Sequence, residues 1–479
     1  MEHLTSSFHA LLADFQPIFT QPSFRILLTV VTGWIVSVRH RYVTELIYSG
    51  GQIGVGHWSR FHRFFSHYVW SLDDLCLILT QRLLAAFVPE GPVLLALDDS
   101  LCRKRGLNLF GAGMHHDPLL SSKAVKLVSW GHNWVILCLV VRRPFWAATK
   151  VFALPIGFRL YRNRQGNNKG KHKTDAETRS RISQGQKAKK RHATEKDRAA
   201  PQRRADGSVH QTRPELGLEL ICWLANAIPE RTFVVTADSL YGGKSILRKL
   251  PANVDLISRV HPGGALFAPA PAAVPGQRGR KRSKGERLAT MREWADANTP
   301  WTNLKFHQYG LHADLSVKTC QGLYYKAGRD RLLRFVLVRD NSGKRPLSIF
   351  YSTRLDWEAQ DILSAYASRW SIEVTFENGK QLLGFEDPAN RLPKAVQRTA
   401  PLAMVLVSLV TLWFHQHGHP HVRFPEKPWY IKKKEPSFAD MLTTLRRLSW
   451  TELWQGALSK QGVDKTLLAK MTEFLSRAG

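Results

Sequence analysis

Pro92-Val-Leu-Leu-Ala-Leu-Asp98-Asp99-Ser100 is a short, continuous apolar run opened by proline and closed by carboxylates. A run that is apolar at every position, rather than at every second one, belongs to a strand buried on both faces at the centre of a sheet. Buried acids cost free energy unless they are paired or hold a cation. A central strand that finishes on two aspartates therefore has a reason to deliver them. The device recurs at Arg231-Thr-Phe-Val-Val-Thr-Ala-Asp238, which is followed by the small-residue turn Ser239-Leu-Tyr241-Gly-Gly and a helix. Only one of two successive strand residues can face a given side, so Asp98 and Asp99 are alternatives for the first acid.

Around these strands the chain reads in order. Residues 1–88 carry helix-spaced apolar positions. Within them, His57-Trp-Ser-Arg60-Phe-His62-Arg63-Phe-Phe-Ser-His67 fits either a DNA-contacting face or an ordinary amphipathic helix with its aromatics in the core. A Gly-rich loop at Phe110-Gly-Ala-Gly113 leads to His115-His116, a poor chelate because adjacent side chains diverge. Strands are expected at Lys126–Val141 and Lys150–Leu154, a helix at Pro214–Ala227, and a strand at Val254–Val260. Further strands fall near Phe306, at Leu315–Thr319, at Phe335–Asp340 and at Leu347–Ser352. The expected division is 1–88 helical and DNA-binding, 89–261 and 346–400 the two parts of a catalytic core, 262–345 a β-rich basic insertion, and 401–479 a helical end.

The stretch Tyr366-Ala-Ser-Arg369-Trp370-Ser-Ile-Glu373-Val-Thr-Phe-Glu377-Asn-Gly-Lys380 predicts one working helix, with Asp356 as N-cap and Gly384 as terminator. At roughly 100° per residue, Arg369, Glu373 and Lys380 fall at about 300°, 340° and 320° from Tyr366, in one stripe. Ile372, Phe376 and Leu383 supply an apolar seam beside it. An acid flanked by two cations and a phenol suits a metal-binding carboxylate that works on phosphates. The stripe alone fits a solvated helix equally well, and Glu377 shares it with Glu373.

Charge narrows the class. A formal net charge of +31 in 479 residues is the footprint of a nucleic-acid binder. From Arg162 to Arg204 there are 15 Lys or Arg against 4 Asp or Glu, a local net of +11 with almost no large apolar residue. Arg278-Gly-Arg280-Lys281-Arg282 and Lys427-Pro-Trp429-Tyr430-Ile-Lys432-Lys433-Lys434 add basic segments, the second with aromatics suited to stacking. The five cysteines are scattered without a C-x-x-C pair, which suits a reducing compartment rather than a zinc ribbon or disulfide framework. Ile26–Val38 and Leu402–Phe414 are apolar but short for a bilayer and read as core helices, so no membrane partner is expected.

A β-β-β-α-β-α sheet would bring Asp98 or Asp99, Asp238 and Glu373 together, although they lie far apart in sequence. Three carboxylates converging in a basic protein would hold two Mg²⁺ ions, with Mn²⁺ as a substitute, for in-line attack on a phosphodiester.

These residues resemble a family. Tyr366, Arg369, Glu373 and Lys380 match the Y-x2-R-x3-E-x6-K signature of the IS-four-like insertion-sequence transposases, a branch of the DDE transposases. Asp238-Ser-Leu-Tyr241 is similar to their second-aspartate motif, and Asp98-Asp99-Ser100 to the first, written D-D-T in one subgroup. The signature spacing favours Glu373 over Glu377, and D-x-[S/T] spacing favours Asp98 over Asp99. The resemblance implies an α/β, RNase H-like mixed-sheet core with a β-rich insertion between flanking helical regions. It implies a metal-dependent transposase that cuts at the inverted repeats of its element and joins the 3′ ends to target DNA, with Asp98, Asp238 and Glu373 as catalytic metal ligands. Tyr366, Arg369 and Lys380 would touch transposon-end phosphates. It further implies a homodimer in the synaptic complex and a cytoplasmic, nucleoid-associated life in a bacterium. A nuclease that cuts without joining, or a DNA-binding protein that has lost catalysis, are the rival readings.

Overall fold

In the computed structural model, the described residues are 4–37, 40–51, 56–122, 124–163, 204, 207–272, 282–308, 311–424 and 433–458, with a few positions beyond. Most of the basic stretch 162–204, residues 273–281 and the aromatic-basic loop at 425–432 lie outside them.

Five helices come first: α1 (Ser6–Ala13), α2 (Gln21–Val36), α3 (Val43–Ser49), α4 (Ser59–Ser66) and α5 (Leu72–Phe87). Thr5, Thr20 and Ser71 cap α1, α2 and α5 by accepting from backbone N–H groups of the first turn. In α4, Phe61, Phe64 and Phe65 are buried, so its aromatics serve the core.

The sheet is then built from β1 (Val93–Arg103), β2 (Gly113–His116), β3 (Val128–Arg142), β4 (Val151–Tyr161), β5 (Phe233–Ala237) and β6 (Val254–Arg259). Helix α6 (Arg213–Ala227) precedes β5, and the short α7 (Lys244–Leu247) separates β5 from β6. Strand β1 pairs antiparallel with β3, β3 antiparallel with β4, and β5 and β6 run parallel to β1. This is the RNase H-like arrangement: three antiparallel strands, a crossover helix, then two strands parallel to the first. Residues 113–116, expected as part of a loop, form β2 on the same edge of β3 that β4 occupies farther along.

The sheet does not stop at β6. Strands β7 (Thr302–Gln308), β8 (Leu311–Leu323), β9 (Leu332–Asp340) and β10 (Ser348–Ser352) extend it in the order β6-β10-β9-β8-β7, all antiparallel. The short helices α8 (Met291–Asp296) and α9 (Tyr325–Gly328) lie within this extension.

After β10 come α10 (Ala359–Ser368), α11 (Ser371–Leu383), α12 (Pro393–Trp413) and α13 (Phe438–Leu458). The single working helix expected at 366–380 is thus two, joined at Arg369 and Trp370. Both joint residues keep right-handed helical angles, but Arg369, Trp370, Ile372 and Glu373 donate backbone bonds three residues back instead of four. Serine hydroxyls compete with the ladder there: Ser368 donates to the Ser364 carbonyl and Ser371 to the Ser368 carbonyl, both at 2.8 Å. The N-cap is Glu358 rather than Asp356, which pairs instead with Arg354 at 3.1 Å. Gly384 terminates α11 with φ of 61°, the left-handed cap that glycine adopts without strain.

From Arg398 to Trp413 helix α12 is buried around its whole circumference, and the helix packs on β4, α4, α5, α11 and α13. Its apolar span is long enough for a bilayer, yet 94% of that window is buried inside the fold, as a core helix requires. The N-terminal helices are locked to it and to α11. Arg398 of α12, buried, donates to the carbonyls of Phe65, Tyr68 and Trp70, and Trp34 donates to the Leu383 carbonyl at 2.7 Å.

Candidate active site

The last rung of the β1/β5 ladder is Leu97 opposite Ala237. The next residue on each strand is an aspartate, so register alone sets Asp98 beside Asp238, about 5 Å apart at the backbone in a regular sheet. Asp98 points toward the helix joint, where its Oδ2 accepts from Arg369 at 2.5 Å. Four residues on, Glu373 Oε1 accepts from the other terminal nitrogen of the same guanidinium at 3.3 Å. Asp238 acts electrostatically on both Asp98 and Arg369. Three acids from two strand ends and one helix thus surround one guanidinium.

Asp99 points the other way. Its carboxylate accepts from Asn133 of β3 at 2.9 Å, Arg213 at the start of α6 at 2.7 Å, and the Tyr241 hydroxyl at 2.9 Å. The pleat puts α11 against one face of β1 and the start of α6 against the other. Nothing in the local spacing of the doublet reveals this division, because the partners of Asp99 lie 34 to 142 residues away. The one sequence signal was Tyr241 itself, three residues after Asp238.

The remaining stripe residues are placed unequally. Tyr366, on α10, packs against Phe350 with ring centroids 4.6 Å apart and planes tilted by 55°, and the Arg369 guanidinium lies 5.7 Å from its ring. Lys380 reaches down to the Leu101 carbonyl at 2.7 Å and to Glu386 at 3.2 Å, away from the acids. Glu377 is exposed and bonds Gln381, so it does not face the site. Trp370, at the joint, is 56% exposed. Ile372, Phe376 and Leu383 are buried as the seam requires.

Burial pushes the Asp98 carboxyl up to about 7; Arg369 opposes this, while Asp99 and Asp238 reinforce it. A divalent cation in the cluster would favour the charged form of this buried carboxyl. The donors are all oxygens, which fits a hard divalent ion rather than a soft one. Among the described residues no three acidic, histidine or cysteine side chains are drawn together tightly enough to hold a metal; the guanidinium of Arg369 lies between Asp98 and Glu373.

A family model described as DDE superfamily endonuclease matches residues 14–324. The chain belongs to the DDE superfamily endonucleases. No curated protein matches it. The matched span holds both acid-tipped strands and ends before α11, so it does not include Glu373.

Behind the site, this DDE endonuclease buries two histidines in their neutral form. Burial, then the charge of Arg213, lowers His115 to about 4; burial, then Lys104, lowers His132 to about 3. Both sit well below the unfolded value of about 6.5, so folding favours their neutral forms. The stability they confer is full above that value and is lost as pH falls toward 4. Each should cost about 2 kcal/mol by pH 5. Denaturant unfolding at pH 7 and pH 5 checks this: the His115→Gln, His132→Gln double variant should lose clearly less on acidification than the parent. Equal losses would contradict it.

Proposed function

We propose that the chain is a DNA transposase of the IS-four-like class, which binds the terminal inverted repeats of its own element, cuts there and joins the freed 3′ ends to target DNA. The observation that carries this reading is the gathering of Asp98, Asp238 and Glu373 around Arg369 in a chain of net charge +31. Asp98, Asp238 and Glu373 would hold divalent cations, Mg²⁺ with Mn²⁺ as a substitute, which supply Lewis-acid activation of the attacking hydroxyl and stabilise the leaving oxygen.

The chain's own groups do the rest. Glu373 lies in the first turn of α11, where the helix dipole favours its charge. Arg369 presents a fork that accepts a phosphate as readily as a carboxylate, so it can exchange its acid partners for a phosphate of the transposon end. Tyr366, packed against Phe350, holds its ring beside that fork. Lys380 joins the phosphate contacts by giving up Leu101 and Glu386. The N-terminal helices read the inverted repeat, two copies pair the ends in the synaptic complex, and the protein works in the cytoplasm on the nucleoid.

The test is incubation of purified protein with pre-cut element ends and a target plasmid, with Mg²⁺ or with excess chelator. Joined product with Mg²⁺ and none with chelator is expected. Target cleavage without joined ends would favour a nuclease, and joining undiminished by chelator would remove the metal from the reading.

A further inference from the structure

The acid pair at the heart of the site lies one residue beyond the last β1/β5 ladder rung, Leu97 with Ala237. Past that rung β1 remains paired only to β3, from Asp98 opposite Ile136 to Arg103 opposite Gly131. No ladder bond holds Asp98 and Asp238 side by side, and Arg369, which acts on both charges, is bonded to Asp98 alone of the two. Something else must fix their separation.

On the opposite face of the sheet a side-chain tie spans the gap, while the Ser258 hydroxyl holds the Asp238 carbonyl from β6 at 2.8 Å. Asp238 closes a tight turn in which its carbonyl accepts from the Tyr241 and Gly242 N–H groups, both at 3.2 Å. Tyr241, 0% exposed, passes back under the sheet and donates its hydroxyl to Asp99 Oδ1 at 2.9 Å. Close packing keeps that ring in place: a Cβ at Gly217 of α6 would lie 3.1 Å from it. Asp99 is held in turn by Asn133 and Arg213, and its backbone N–H donates to Asp98 Oδ1 at 2.9 Å. The chain of contacts runs from the Asp238 turn, through Tyr241 and Asp99, to Asp98.

We propose that Asp99 and Tyr241 are positioning residues whose mutual hydrogen bond replaces the missing ladder rung, sets the Asp98–Asp238 separation and thereby sets the affinity of the pair for a divalent cation. This rests on the reading of Asp98 and Asp238 as metal ligands. A buried tie that merely stabilised the fold would leave metal affinity unchanged once the protein is folded, so affinity is the quantity to measure.

The experiment follows Mn²⁺ binding to the full chain by electron paramagnetic resonance, without DNA, well below the melting temperature of every variant. Tyr241→Phe keeps the packed ring and deletes only the hydroxyl. It should weaken Mn²⁺ binding about tenfold, the scale on which groups supporting metal ligands act. Asp99→Asn should weaken binding at least as much, and adding Tyr241→Phe to it should change little further, because the two act through one bond. Folded Tyr241→Phe with the parent's Mn²⁺ affinity overturns the positioning role while Asp98→Asn still binds weakly. If Asp98→Asn binds Mn²⁺ like the parent, the ligand assignment itself fails and this proposal with it. Should Asp99→Asn not fold, Tyr241→Phe alone decides.

Discussion

Glu373→Gln should abolish joining of transposon ends, lowering joined product by about 10³-fold or more, the loss typical when one member of a catalytic set is removed. The side chain is 41% exposed and its contact with Arg369 is a 3.3 Å pair one turn away on the same helical stretch. Exposed pairs of that kind contribute only about 0.5 kcal/mol or less. The melting temperature should therefore hardly move, which separates a chemical defect from a folding one. Glu377→Gln is the internal control, since that carboxylate is exposed and accepts from Gln381 one turn along α11. Joining assays on both variants decide the matter: wild-type product from Glu373→Gln, or an equal loss from Glu377→Gln, would sink the assignment.

The largest stability effect is expected at Arg398, far from the chemistry. Its guanidinium is buried within α12, stacked over Trp70 at 4.3 Å, and donates to the carbonyls of Phe65, Tyr68 and Trp70. Three carbonyls that end α4 and the following turn depend on that one side chain. Burial lowers its pKa, yet an arginine keeps its proton. Arg398→Met fills much of the volume but leaves the carbonyls without donors, and the cost should be about 3–5 kcal/mol. Denaturant unfolding would show it as a large drop in midpoint. Retention of the parent's midpoint would mean that water satisfies those carbonyls and that the guanidinium is not what seats α4 on α12.

What the sequence disclosed and what it withheld follow from the range of the forces involved. The acid-tipped strands were legible because a strand buried on both faces must be apolar at every position, and a carboxylate ending such a run stands out. The terminator Gly384 was legible because a left-handed cap is a local demand. The choice between Asp98 and Asp99 rested on motif spacing, since the pleat's phase is set by Asn133, Arg213 and Tyr241, all distant in the chain. The break at Arg369-Trp370 was missed because serine back-bonding at Ser368 and Ser371 tightens the turn without disturbing the apolar period. Asp356 looked like a cap by type, but Arg354 claims it. Strand β2 was hidden inside a glycine-rich stretch whose extended form depends on pairing with β3. Lys380 shared a stripe with the acids by arithmetic, yet its length lets it reach the Leu101 carbonyl instead.

Helix α12 carries one more consequence. An element buried on every side from Arg398 to Trp413 has no outer face there along which a lineage could exchange its neighbours piecemeal. The helices proposed to recognise the element's ends and the helix bearing Glu373 are both moulded to it, through Arg398 on one side and the α11 contact on the other. A recombinant gene that grafted a foreign recognition region onto this core would have to import a matching surface for α12 at the same moment. On the proposed reading, new end preferences should therefore arise by replacement of solvent-facing side chains, one at a time, rather than by shuffling of parts.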